Sequence, residues 1–305
     1  MPNLRRFLGF RDRSESMRLI RDRAIVLRAV PFEDRHRVVT ALTESHGRIS
    51  ALARNCVQSR RFGGALEVFT ASEWDFSHRS EGAELFSLQE AKTVRTHEGI
   101  RTQFGLMAMA SLLSELMLRV APEREACLDL FKLHANALAA LEEMQSLDVP
   151  PLSFLNGYMA KLLQWSGNQP RLQQCLECSR TLQLIWGEER QSPARLTVVV
   201  QEAGWICEDC RKASLIHIKS RSEHQGVDIS EVGADAMADF FMSLVTPIRQ
   251  VASTAHASSE SHAELFRALE ALMVYHVPGF DRVPLNSLKF LGLESSWRPP
   301  ADPRR

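Results

Sequence analysis

The sequence predicts an α+β multidomain chain: an N-terminal five-stranded OB-fold barrel, a helical domain, and a zinc-ribbon-like module inserted into that domain. Three observations carry this prediction. Short apolar runs of period two crowd residues 24 to 94, the apolar period lengthens to that of a helix after Gly99, and two Cys-x-x-Cys pairs interrupt the helical pattern.

The strand-like runs are Ala24 to Val30, His36 to Leu42, Gly47 to Ala53, Glu67 to Phe76 and Glu84 to Val94, with Arg79-Ser80-Glu81-Gly82 as the turn before the last. Five strands in about 80 residues suit a small closed barrel, of which the OB-fold is the commonest five-stranded type. Helical spacing then runs from about Arg101 to Ala121, where Pro122 stops it, from Glu123 to Met144, and from Leu152 to Trp165. Beyond the cysteines it resumes over Glu231 to Leu244 and Ser261 to Val277. The expected divisions are an extension over 1–20 with Met17 as a candidate start, the barrel over 21–98, the helical domain over 99–170 and 223–293, the cysteine module over 171–222 and a tail over 294–305.

Cys175-Leu176-Glu177-Cys178 and Cys207-Glu208-Asp209-Cys210 are the most specific motif. A two-residue gap lets one tight turn present two thiolates to one ion, and two such turns complete a tetrahedral zinc site. Four protein ligands leave no open position to activate a water, so one structural zinc is the expectation. A pair of disulfides or a thioredoxin-type redox couple is the alternative. The long interval between the pairs calls for a filler, read as a hairpin of Thr181 to Trp186 against Leu196 to Val200. Cys56 and Cys127 sit in apolar-periodic segments as ordinary core thiols.

The 305 residues, 45% hydrophobic and 24% charged, suit a globular protein of more than one domain. Met1 to Gly9 lacks the apolar core of a signal peptide, and no run approaches the ~18 apolar residues of a membrane span. A reducing, cytoplasmic setting without membrane contact is expected. The net charge is zero but unevenly placed: residues 1 to 61 hold 14 arginines, no lysine and 6 acids, a net of +8, and the rest of the chain carries −8. Such a basic first fifth suits phosphate neutralisation with counterion release. Arg35, Arg37, Arg48, Arg54, Arg60 and Arg61 are the candidate DNA-binding residues, on strand edges and loops of the barrel. Phe32 and Phe62 are candidate base-stacking rings, read more readily as core or loop packing.

No G-x-S-x-G, H-E-x-x-H or G-x-x-x-x-G-K-[ST] is present, so hydrolase, metalloprotease and nucleotide-driven motor lack their motif and a non-enzymatic protein is expected. His262-Ala263-Glu264 has the spacing of a zinc deaminase motif but follows both cysteine pairs, and reads as helix surface. The Met- and Leu-rich stripe over 101 to 121 reads as core in preference to a partner groove, with Arg101, Arg119 and Arg124 near it as candidate contacts for an acidic peptide.

Several ordered pieces carry a resemblance to a known family. They are Ala24-Ile25-Val26-Leu27; Glu33 to Arg37 leading into Val38-Val39-Thr40; Thr43-Glu44-Ser45-His46-Gly47-Arg48; Ser59-Arg60-Arg61-Phe62-Gly63-Gly64-Ala65-Leu66-Glu67; Lys161 to Pro170; and Asn286-Ser287-Leu288-Lys289-Phe290-Leu291. Together they resemble RecO, the recombination-mediator family of the bacterial RecF pathway, over roughly residues 20 to 293. The resemblance implies a DNA-binding OB-fold, a helical domain and a zinc module. It also implies DNA repair by annealing of complementary single strands and help in loading recombinase onto protein-coated single-stranded DNA, with RecR and the single-stranded-DNA-binding protein as partners. Two departures stand out: Ala53 to Gln58 is poorer in glycine and lysine than the family's loop, and the extension before Met17 lies outside the match. The rival readings are a zinc-ribbon adaptor that binds only protein, and a thiol redox sensor.

Overall fold

The computed structural model describes residues 19–78, 84–144, 150–182, 194–213, 229–280 and 283–295. Its first third is a closed barrel of β1 (Leu19–Phe32), β2 (His36–Thr43), β3 (Gly47–Ala53), β4 (Ala71–Ser77) and β5 (Phe86–Arg95), in the order β1-β2-β3-β5-β4. All pairings are antiparallel except the short parallel contact of Ala51–Ala53 with Phe86–Leu88 that completes the ring. β1 is long enough to serve two partners. Its first half pairs with β4 and its second with β2, and a bulge between Val26 and Arg28 lies just past the changeover, where the strand must coil.

Alternation fills the barrel. Ile49, Ala51 and Ala53 of β3 point inward while Arg48, Ser50 and Leu52 are partly exposed. Small interior residues such as Ala24, Ala41 and Ala51 leave room for Trp74, Phe76 and Phe86, and the buried Trp74 indole donates to Ser72 Oγ at 2.8 Å. β1 departs from alternation because both of its faces are covered: Ala24 and Val26 enter the barrel, whereas Ile25 and Leu27 join the core of the helices. The continuous apolar run Ala24-Ile25-Val26-Leu27 is the sequence trace of that double burial.

The helical body comprises α1 (Glu98–Arg101), α2 (Phe104–Val120), α3 (Leu128–Glu143) and α4 (Leu152–Trp165). After the cysteine region come α6 (Ala234–Val245), α7 (Ile248–Thr254) and α8 (Ser259–His276), α5 being the short Glu208–Ala213 helix. α2 is buried nearly all round, so its Met- and Leu-rich stripe is core. α3 begins at Leu128, five residues later than its periodicity suggested. The intervening turn is held by the barrel instead: Arg48 N–H donates to Pro122 O at 2.9 Å and Arg124 N–H to Arg48 O at 3.1 Å. Gly47 makes this approach possible, with φ at +63° and a Cβ there falling 2.0 Å from Glu125 O.

Two further expectations are corrected. The helix read from Glu231 begins at Ala234, because Ile229–Gly233 forms strand β8. β6 (Arg195–Val199) lies between β7 (Gly204–Cys207) and β8, antiparallel to both. Both edges of β6 are occupied, and Thr181, expected to open its hairpin partner, bridges Gln174 instead; residues 183 to 186 of that expected strand lie outside the described residues.

Candidate metal centre and nucleic-acid interface

The four cysteines of the two pairs meet at one point. Their sulfurs all lie within 4.8 Å of one another, and Cys178 Sγ stands 3.8 Å from Cys207 Sγ. Thiolates bound at ~2.3 Å to a tetrahedral ion stand about 3.8 Å apart, so the spacing fits a metal ion of zinc's size. The first pair sits on a turn closed by Cys175 N–H donating to Arg180 O at 2.9 Å and Ser179 N–H to Cys175 O at 3.1 Å. In the second, Cys207 ends β7 and Cys210 lies on α5, and an Arg180–Asp209 ion pair at 2.9 Å joins the two turns. Gly204 lets them close up, since a Cβ there would meet the Leu176 side chain at 2.7 Å.

The four thiols sit in unlike surroundings. The Arg180 backbone N–H draws the Cys178 thiol down to about 7, while burial pushes Cys207 up, and burial together with the neighbouring sulfurs pushes Cys210 up strongly. Four thiols this close cannot all ionise without a positive counter-charge, which a metal supplies.

The candidate arginines divide by geometry. Arg35 lies in the tight β1–β2 turn, and Arg54, Arg60 and Arg61 lie on the segment that leaves β3 and crosses toward β5; all four are exposed. Turn and segment are in contact, since Asn55 N–H donates to His36 Nδ1 at 2.9 Å and Cys56 Sγ lies 3.7 Å from Arg35 O, and β5 holds the segment further on, where Ala91 N–H donates to Arg61 O at 3.1 Å. Arg35, Arg54 and Arg60 have no acidic partner among the described residues. Arg37 is at the same end but pairs with Glu67 at 2.7 Å. Arg48 is not brought there. It sits at the far end of β3, where its guanidinium donates to Ala121 O at 3.2 Å and lies 3.6 Å from Glu123.

Of the two phenylalanines, Phe62 is barrel core beneath the Arg61 guanidinium, 5.6 Å from its ring centroid, and Phe32 is 46% exposed, two positions along β1 from the exposed Val30. Sequence reading missed Arg28, exposed on β1 two positions from Val30 and with no acidic partner among the described residues. Its signal was available as Arg28, Val30 and Phe32 at period two on one face.

Three other readings change. His262 is buried, not helix surface: Asn156 Nδ2 donates to its backbone carbonyl at 2.9 Å, and Asp239 lies 3.2 Å from Nε2. Glu264 beside it grips Arg195 at 2.8 Å. Arg119 does not await an acidic peptide, because its guanidinium donates to Val283 O and Pro284 O at 2.6 and 2.7 Å, and Arg101 is engaged at the barrel–helix joint by Thr96 O and Val68 O.

A closed five-stranded barrel with a cationic end, fused to a helical body that carries a four-cysteine cluster, defines a class of OB-like barrel proteins with a candidate metal centre. The comparisons narrow it. The family Recombination protein O N terminal matches residues 17–97, and Recombination protein O C terminal matches residues 101–222. Among curated relatives, the DNA repair protein RecO of Anaeromyxobacter sp. (strain Fw109-5) is 32% identical over 194 residues, 62% of this chain and 70% of that protein. The RecO protein of Anaeromyxobacter sp. (strain K) is 34% identical over 61% of this chain and 68% of its own length, and that of Bacillus pumilus is 27% identical over 63% and 68%. The chain belongs to the RecO family of DNA repair proteins. Among the described residues no helix is long and apolar enough to cross a membrane.

Proposed function

We propose that this chain binds single- and double-stranded DNA through the cationic end of its barrel, anneals complementary single strands, and helps load recombinase onto protein-coated single-stranded DNA, with RecR and the single-stranded-DNA-binding protein as partners. The observation that carries the reading is the convergence of Arg35, Arg54, Arg60 and Arg61 on one end of the barrel, with Arg28 and Phe32 exposed on β1 leading to it. Guanidinium groups neutralise phosphates there, and exposed apolar side chains offer faces to unpaired bases. Arg37, already paired with Glu67, shapes the turn more than it adds charge. Surfaces that hold two strands by backbone charge, without reading sequence, can bring complements together and release them as a duplex.

One zinc ion is proposed for Cys175, Cys178, Cys207 and Cys210, with a structural role: a four-sulfur site is coordinatively full and adds stability to the sheet around it. The chain then acts as a binding protein, not an enzyme. The experiment is a titration of single- and double-stranded oligonucleotides at several salt concentrations, followed by strand annealing read from a donor–acceptor dye pair. Salt-dependent binding with accelerated annealing is expected. Binding confined to protein partners would replace this reading by that of an adaptor, and a dithiol activity without bound metal by that of a redox sensor.

A further inference from the structure

A cleft of about 230 Å³ opens where the β1, β4 and β5 side of the barrel meets α3 and the start of α7. Its inner wall is apolar: Ile25, Phe131 and Ala139 are buried there, with Ala135 beside them. Its mouth is cationic, formed by Arg23, Arg95 and Arg249 with Val94, which is 63% exposed.

Each of these arginines is held by a carboxylate behind it: Arg23 by Glu44, Arg95 by Glu142 and Arg249 by Glu143. The pairs leave donors over. Arg23 and Arg95 use Nε and Nη2 and keep Nη1, while Arg249 uses only Nη1. With so much of the charge already neutralised, the cleft is a poor trap for a free phosphate. It suits a flat, largely uncharged ring that enters against Phe131 while the attached phosphate passes the oriented guanidinium edges. The exposed Asn136 lines the same cleft and offers hydrogen-bonding groups to the edge of such a ring.

The geometry points to a subsite for one unstacked nucleotide of a single strand, its base inserted between barrel and α3. This rests on the DNA-binding reading above and extends it. The cleft lies on the same strand as the cationic end: Phe32 and Arg23 stand nine positions apart on β1, about 30 Å of extended chain, a span that one single strand of several nucleotides can bridge.

The test uses the full chain and oligothymidylate carrying a single 5-iododeoxyuridine, cross-linked by light and mapped by peptide mass. The expected product joins the base to the α3 peptide that contains Phe131. Ala135→Phe, which fills the cleft, is expected to remove that product and weaken binding about fivefold or more, the share of one stacked base. Val94→Asp, at an exposed position that leaves the fold intact, is expected to do the same by repelling the phosphate. Cross-links confined to residues 28–61, with both variants binding as the parent does, would overturn the subsite while leaving the DNA-binding reading in place. Absence of salt-dependent binding would remove both. If the variants instead release a labelled acidic peptide and hold the oligonucleotide unchanged, the cleft is a peptide pocket and the inference fails.

Discussion

Replacing Arg60 and Arg61 together by Ala tests where the DNA lies and how it is held. Both side chains are exposed; among the described residues Arg60 has no acidic partner and the Arg61 guanidinium donates only to Ser59 Oγ at 3.3 Å, which leaves its charge available. Each phosphate contact contributes about 0.7 to the salt exponent for a single strand, so the double variant should flatten the slope by about 1.4. Between 50 and 200 mM salt that difference changes the loss of affinity by about sevenfold. The assay is fluorescence anisotropy of one labelled oligonucleotide across that salt range, repeated with a second sequence, since phosphate contacts weaken binding to all sequences alike. Arg48→Ala is the internal control. Its guanidinium is engaged by Ala121 O and Glu123, so its loss should lower the melting temperature and leave the slope in place. An unchanged slope in the double variant, with a flattened one in Arg48→Ala, would refute the assignment of the cationic end.

Further outcomes follow from single features. Cys207→Ser should release the bound metal, measured as loss of about one ion per chain, and lower the melting temperature of the helical body, because metal binding there is coupled to folding. Gly47→Ala places a Cβ 2.0 Å from Glu125 O at a positive φ, so it should destabilise by ~2 kcal/mol or more in denaturant titration. A chain cut after Glu98 would uncover Ile25, Leu27, Leu42 and Phe69, at ~1.5–3 kcal/mol for each large side chain, and should bind a hydrophobic dye or aggregate in sedimentation. Burial, with a smaller push from His97, holds His134 down to about 3. The unfolded chain therefore takes up that proton first, so stability is complete above roughly pH 6.5 and falls as pH drops toward 3, by up to ~1.4 kcal/mol per unit. His134→Leu should flatten the melting temperature between pH 7 and 5.

The barrel was legible because its interior alternates small and large residues at period two, and two of its strands begin or end where turn chemistry says they must: β2 at His36, and β3 at Gly47 and Ala53. The cysteine cluster was legible because two short gaps dictate local geometry whatever lies between them. What sequence could not give was long-range engagement. Arg48, Arg101 and Arg119 look like any exposed cations in a string of letters, and only folding shows that backbone carbonyls from distant segments receive them. His262 was misread for the same reason: its partners are Asn156 and Asp239, the first more than a hundred positions away. β8 was misread because Val232, Met237 and Phe240 keep apolar spacing across the strand-to-helix junction at Gly233.

The cysteine module is not an appendage, and its contacts decide what losing the metal would do. Cys175, Cys207 and Trp205 belong to the same buried cluster as α2, α4 and α8, whereas the barrel keeps a core of its own around Trp74 and Phe76. β6 carries β8 on one edge, and β8 leads directly into α6. Arg195 of β6 reaches Glu264 of α8 at 2.8 Å, and Arg211 of the second cysteine turn reaches Glu231 of β8 at 3.1 Å. Loosening the two turns therefore frees one edge of a sheet whose other edge is tied to the helical core. The damage should spread first through α8 and α6, and only afterwards to the barrel, across the seam of Ile25 and Leu27. Hydrogen exchange after metal chelation should show that order, with amides of β6 and α8 opening while those of β2 and β3 stay protected. Simultaneous opening of barrel and helices would mean that the two cores fold as one unit.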